Sequence, residues 1–248
     1  MDVEFLLIVV GALGLGGFIK GATGLGLPLV SVPALAAFLG VPHALAIVCI
    51  PLVVTNAWQS WHFSAHRHGT GFLARLLPAS VVGIGLGTVA LTTLPGAALS
   101  LALAVMMMAY IAFYLTKPDL RLSPGSGRRL APLVGLVAGA LQASTGISAP
   151  VSITFIHALR LARPAFVFAV AAMFLGFAVA QVVALAVAGI MTWTRFLEGL
   201  IALVPIALAM PLGAWAASFL SRETFDRLIL GILGVMSLKL FHDGITGL

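Results

Sequence analysis

The polar side chains able to hold a ligand gather in two stretches of this chain that repeat one pattern. Gly17-Phe18-Ile19-Lys20-Gly21-Ala22-Thr23-Gly24-Leu25-Gly26-Leu27-Pro28 offers Lys20, Gly21, Thr23, Gly24 and Gly26. Gly139-Ala140-Leu141-Gln142-Ala143-Ser144-Thr145-Gly146-Ile147-Ser148-Ala149-Pro150 offers Gln142, Ser144, Thr145, Gly146 and Ser148. Both lie inside long apolar runs. Glycine permits unwound backbone and close approach, and proline suits the first turn of the helix that follows. A helix starting just after such a break points its unsatisfied N–H groups and the positive end of its dipole into the break. Two such ends converging from opposite sides make an anion site, the arrangement of discontinuous helices in secondary transporters. Lys20 is the one basic residue in the two motifs; it could neutralise an anion there or snorkel to the interface. The glycines and hydroxyls could instead serve close helix packing.

Thr55, Asn56, Gln59 and His62 follow one another at helical spacing in the next apolar run, and Gln59 has a counterpart in Gln181. Asn56, Gln59 and Gln181 are candidate hydrogen-bond donors to an oxyanion, or polar links between helices. The spans hold no carboxylate pair, Cys–His pair or metal-ligand cluster, so no catalytic residue, metal or cofactor is assigned and enzymatic chemistry is disfavoured. Glu198 is expected to pair with Arg195 at i, i+3, which leaves no embedded carboxylate to relay protons or sodium. Transport would then be uniport, or be coupled through backbone carbonyls or a histidine. His62, His66, His68 and Arg67 read as a solvated loop, and His157 and His242 lie near span ends. Trp58, Trp61, Trp193 and Trp215 read as interface or packing residues. Cys49 is alone in an apolar run, a small core residue with no disulfide partner.

The elements that must position these groups follow from composition. The chain of 248 residues is 61% apolar and 8% charged, with a mean hydropathy of +1.18. Soluble domains run near a quarter charged, so this is a polytopic membrane protein. A pI near 10.5 reflects basic residues in short loops, a topology signal rather than a nucleic-acid surface. Met-Asp-Val-Glu at the start is acidic rather than basic, which speaks against a cleaved signal peptide. Apolar blocks run over about 3–40, 43–61, 72–93, 97–116, 131–157, 164–190, 195–219 and 224–247. The first and fifth are long, and the motifs interrupt them.

If those two blocks each enter and return, Lys20, Arg67, Arg75, Lys117, Arg121, Arg128, Arg129, Arg160, Arg163, Arg222 and Arg227 collect on one side, with Arg195 and Lys239 opposite. Eight simple transmembrane helices, the alternative, give a weaker bias. The excess of basic residues in cytoplasmic loops favours ten segments with both termini periplasmic. Five segments per half is odd, so the halves form an inverted repeat. The same duplication is visible at a spacing of 122 residues: Gly17 with Gly139, Gly24 with Gly146, Pro28 with Pro150, Pro42 with Pro164, Gln59 with Gln181. Gly87 matches Gly213 after a small length change. We divide the chain into an N-terminal repeat (1–116), a Pro/Gly-rich, charged cytoplasmic linker (117–130) and a C-terminal repeat (131–248).

The run Gly17 to Leu35 resembles the opening motif of the TauE/SafE sulfite exporter family, also called TSUP or four-toluene-sulfonate uptake permeases. Length, duplicated halves and arginine-bearing loops fit over essentially the whole chain. The family motif usually ends in a Gly-Gly-Gly stretch; here the copies read Gly24-Leu25-Gly26-Leu27-Pro28 and Gly146-Ile147-Ser148-Ala149-Pro150, and the second departs more. The resemblance implies a bacterial inner-membrane transporter, by preference an exporter, of a small organosulfonate, sulfite or related sulfur oxyanion. The expected fold is all-α and polytopic: two inverted repeats of about five segments, the first of each a Gly-rich broken helix or hairpin. The expected mechanism is alternating access around a midplane site, with an oxalate-like carboxylate permease or an anion channel as alternatives. The expected partners are a small anion, the lipid bilayer and, in a homodimer, a second copy; nucleic acid is not among them.

Overall fold

Hydrocarbon offers no hydrogen bonds to a bare N–H or C=O, so a chain this apolar satisfies its backbone inside each segment as helix. The computed structural model describes residues 3–23, 26–116, 120–217, 219 and 222–247, and among them it holds helices and no strand. In chain order they are α1 (Val3–Thr23), α2 (Leu27–Leu39), α3 (Val41–His62), a 3-10 turn (Ser64–His66), α4 (Leu73–Thr93) and α5 (Gly96–Thr116). The second half follows with α6 (Pro124–Thr145), α7 (Ala149–Ala158), α8 (Arg163–Val187), α9 (Trp193–Ile201), α10 (Leu203–Ala216) and α11 (Arg222–Thr246). Among the described residues six stretches are long and apolar enough to cross a bilayer: α3, α4, α5, α8, α9 with α10 as Trp193–Ala216, and Ile229–Thr246 of α11. Their outer faces keep large apolar side chains such as Leu86, Val204, Leu208 and Leu212 exposed, as a lipid-facing surface does.

Both Gly-rich motifs end one helix and start another. α1 persists to Thr23, so Gly21 is helical rather than unwound; Gly26, at a φ of 94°, caps the start of α2. Gly24 and Leu25 lie outside the described residues. α6 persists to Thr145 and closes on Gly146, at a φ of 74°, whose N–H donates to the Gln142 carbonyl. Positive φ is the conformation glycine adopts without a Cβ penalty. Each short helix then folds back along its predecessor. Ser31 Oγ of α2 donates to the Ala12 carbonyl of α1 at 3.1 Å, and Gly16 leaves room for Ser31 and Leu27. At the end of α7, the Ala158 carbonyl accepts from the Leu122 N–H at 2.8 Å, just ahead of α6. The long first and fifth blocks are therefore hairpins rather than single helices.

Two glycine seams hold the bundle. α1 packs most heavily on α10, and α6 on α4. A β-carbon at Gly17 would sit 2.8 Å from the Ile206 Cα, one at Gly21 would strike the Met210 carbonyl, and one at Gly213 the Phe18 carbonyl. On the other side Gly135 and Gly139 meet the Leu76 and Ser80 carbonyls, while Gly83 and Gly87 meet those of Leu136 and Ala140. Small residues let two backbones touch where lipid gives no hydrophobic drive between helices. α3 lies against α8, and α5 against α11.

α6 begins earlier than the apolar pattern suggests. Ser123 caps it, its Oγ accepting from the Ser126 N–H at 3.2 Å, so 124–130 of the segment read as linker are helical. The seventh apolar block is two helices meeting at Ala202.

Candidate anion site at the two helix breaks

The second break carries a buried polar node built by three helices. Gln142, in the last turn of α6, accepts through Oε1 from Ser148 Oγ at 3.0 Å, and Ser148 is the residue from which α7 starts. Gln181 of α8 donates from Nε2 to the Gln142 main-chain carbonyl at 3.3 Å. Gln142, Ser148 and Gln181 are each 1% exposed. Thr145 Oγ1 accepts from the Ile147 N–H at 3.2 Å and donates to the Leu141 carbonyl, tying the break together. Ser144 is half-buried and spends its hydroxyl on the Ala140 carbonyl. Gly146 sits against the first half of the chain: a β-carbon there would lie 2.7 Å from Leu45 Cδ2 and 3.0 Å from both Val32 methyls.

One valence is left over in this node. Gln181 Oε1 is buried without a hydrogen-bond partner. A polar atom buried unpaired costs about 1–3 kcal/mol, which a ligand group or ordered water recovers. A carboxamide presents either its oxygen or its NH2 as it turns about χ3, so this end can accept or donate.

At the first break the corresponding group is Lys20, which occupies in α1 the place that Gln142, 122 residues later, occupies in α6. It is 4% exposed and turned into the bundle rather than snorkelling: Nζ donates to Asn56 Oδ1 of α3 at 3.0 Å. Asn56 in turn donates from Nδ2 to the Leu52 carbonyl at 2.9 Å. An ammonium has three N–H donors, and Asn56 takes one. Thr23, a turn beyond Ile19, bonds back to its carbonyl, and its residue surface is exposed. Gln59 is buried one turn past Asn56 on α3, and His62 beyond it is exposed and stacked on Trp58. Gly21, a residue proposed from sequence for this site, has its bare face on Met210 of α10.

The structure thus joins Lys20 with Asn56, and Gln142 with Ser148 and Gln181. The polar face of α3 and that of α8 belong to helices packed on each other. Ser152 was missed by sequence reasoning; it is fully buried and donates to the Ser148 carbonyl at 2.9 Å, one helical turn on. The i, i+4 spacing of the two serines was the signal available. The expected Arg195–Glu198 pairing is not what forms. Arg195 Nη1 donates to the Ile190 carbonyl at 2.7 Å, and Glu198 instead meets His43 of α3 at 2.7 Å. A carboxylate therefore does lie inside the bundle.

Residues 7–240 match the family described as Sulfite exporter TauE/SafE. The match spans nearly the whole chain, and the chain belongs to that family. No curated protein and no solved structure matches it.

Proposed function

We propose that this member of the TauE/SafE family exports a small sulfur oxyanion or organosulfonate across the bacterial inner membrane, binding it at the helix breaks and releasing it by alternating access. Members of the family are transporters rather than enzymes, and the chain's apolar helices fit a multi-pass membrane transporter of sulfur-related anions. One observation carries the finer reading: polar side chains nearly absent from solvent, Lys20 and the Gln142–Ser148–Gln181 node, sit at both breaks with hydrogen-bonding capacity left over. Buried polar groups at membrane depth are expensive and mark ligand paths. In this reading the anion lies among Lys20, Thr23, Gly24, Gly26, Asn56 and Gln59 from the first half and Gln142, Ser144, Thr145, Gly146, Ser148 and Gln181 from the second. Protonated Lys20 supplies the counter-charge, and the amides and hydroxyls select a tetrahedral or planar oxyanion by its directed lone pairs.

The inverted repeat belongs to the same proposal. Helix ends favour it: α1 and α6 stop at Thr23 and Thr145, and α3 and α8 start at Val41 and Arg163, each pair 122 residues apart. The seams favour it too. Gly17 on Ile206 answers Gly139 on Ser80, and Gly213 on Phe18 answers Gly87 on Ala140. An odd number of segments per repeat puts the termini on the periplasmic side under the positive-inside rule.

The test is a thermal-shift series on the purified protein with sulfite, thiosulfate, sulfoacetate, taurine, isethionate and oxalate, followed by flux in proteoliposomes. A ligand at 100 times its Kd adds about 2.7 kcal/mol to the native state. A selective shift with a sulfur anion, saturable flux, and loss of both in Lys20→Met are expected. Selection of oxalate would turn the reading to a carboxylate permease, and non-saturating flux would turn it to a channel. Absence of both shift and flux with every anion would overturn it.

A further inference from the structure

A second buried polar contact lies far from the anion site. His43 Nε2 and Glu198 Oε2 are 2.7 Å apart, with side chains 22% and 10% exposed, and they join the first turn of α3 to the second turn of α9 across 155 residues of sequence. Gly199 makes the approach possible: a β-carbon there would sit 2.8 Å from Ile50 Cγ1 and 3.1 Å from the Ile47 carbonyl, so α9 rests directly on α3 beside the pair. The fold does not require a polar contact at this kind of joint, since the positions 122 residues away are Ala165 and Leu76, on helices α8 and α4 that also pack together. Ionisable residues inside membrane bundles mark ion or proton paths.

We infer that His43 and Glu198 are a proton-binding site, and that proton uptake there tightens α9 onto α3 and so ties anion movement to protons. The inference rests on the transport reading above for its second clause only. With the ring neutral, Nε2–H donates one hydrogen bond to the Glu198 carboxylate. Proton uptake at Nδ1 turns the neutral imidazole into an imidazolium against the carboxylate, and the contact strengthens to an ion pair; loss of that proton to the other side returns the neutral ring. Imidazole is the side chain whose charge changes near neutral pH, so the ring is the partner that gains and loses the proton.

Among the described residues the surroundings hold few competitors. Arg195, on α9, is committed to the Ile190 carbonyl. Lys239 of α11 reaches the Ala37 carbonyl at 3.0 Å and Asp243 at 2.7 Å. Of the other elements against α3, α2 carries no ionisable group and α5 only Tyr110 and Tyr114. α6 and α8 carry Arg128, Arg129 and Arg163 in their opening turns, and the 3-10 turn carries His66. α10, behind α9, has none. His43 also lies on the helix that bears Asn56, about 20 Å along it at 1.5 Å per residue.

The experiment compares the full-length wild type with Glu198→Gln, His43→Gln and the swapped pair His43→Glu with Glu198→His. It reads thermal stability without anion from pH 8 to pH 5, and sulfite or sulfoacetate flux in proteoliposomes with and without an imposed pH gradient. Wild-type flux should change about threefold or more as the pH falls from 8 to 5, with native stability rising over the same interval. Both single variants should flatten the two curves, and the swapped pair should restore the bend. If flux is absent but the stability bend is lost in Glu198→Gln and regained in the swap, the proton site stands and the transport reading fails. If Glu198→Gln, folded and monodisperse, keeps the wild-type pH profile in stability and flux, the proton site is overturned.

Discussion

Replacing Lys20 by Met, alone and together with Asn56→Leu, separates the energetic roles of the first break. A lysine 4% exposed, with Asn56 Oδ1 as its hydrogen-bond partner, is under-compensated. Burying a charge costs several kcal/mol after relaxation, whereas a hydrogen bond to a charged group returns about 1.5–3 kcal/mol. In the proposed reading, an anion beside Lys20 offsets this deficit. Lys20→Met removes the charge but leaves Asn56 Oδ1 unpaired, at about 1–3 kcal/mol. The double variant removes that orphan as well. Without anion, then, Lys20→Met/Asn56→Leu should be at least as stable as wild type. Lys20→Met alone should fall below the double variant by about 2–12 °C, at roughly 2–4 °C per kcal/mol for a chain of this size. The anion-induced shift should vanish in both. Detergent thermal unfolding across a sulfite or sulfoacetate titration reads all three quantities. A double variant that keeps the full anion shift would refute lysine's place in the site; one much less stable than wild type would refute the claim that its burial is under-compensated.

Gln181→Leu deletes the partnerless Oε1 together with the donor to Gln142, so stability should move by less than about 1 kcal/mol while anion affinity drops about tenfold; unchanged affinity in an isothermal titration would take Gln181 out of the site. Glycines two residues apart on α4 should answer alanine with opposite signs. Gly87 faces the Ala140 carbonyl, which cannot yield, so Gly87→Ala should destabilise by about 1–3 kcal/mol, whereas Gly85 faces open space and Gly85→Ala should gain up to about 1 kcal/mol of helix propensity. Gly213→Ala, against Phe18, should behave as Gly87→Ala does, and equal melting shifts for Gly85→Ala and Gly87→Ala would contradict the seam.

What the sequence disclosed was set by local chemistry. Glycine and proline announce where a helix must stop, and both hairpins fall where Gly24 to Pro28 and Gly146 to Pro150 stand. Burial of Gln142 and Gln181 followed from their rarity in apolar runs. Long-range pairing was not legible. Glu198 has an arginine three residues before it, and local spacing favoured that partner; the bundle instead turns it onto α3, because Gly199 beside it lets the helices close. Gly17 and Gly21 look like parts of a break, yet their spacing of four also suits a packing face, and the neighbour that decides between these, α10, lies nearly 190 residues on.

The seams also decide which parts can move as one. Backbone laid on backbone has no rotamers to trade, so α1 with α10, and α4 with α6, behave as fused struts. Each strut draws one helix from either half of the chain. Under the proposed alternating access, the rocking bodies would be interlaced composites rather than the two proposed repeats, and neither repeat expressed alone would carry a complete one.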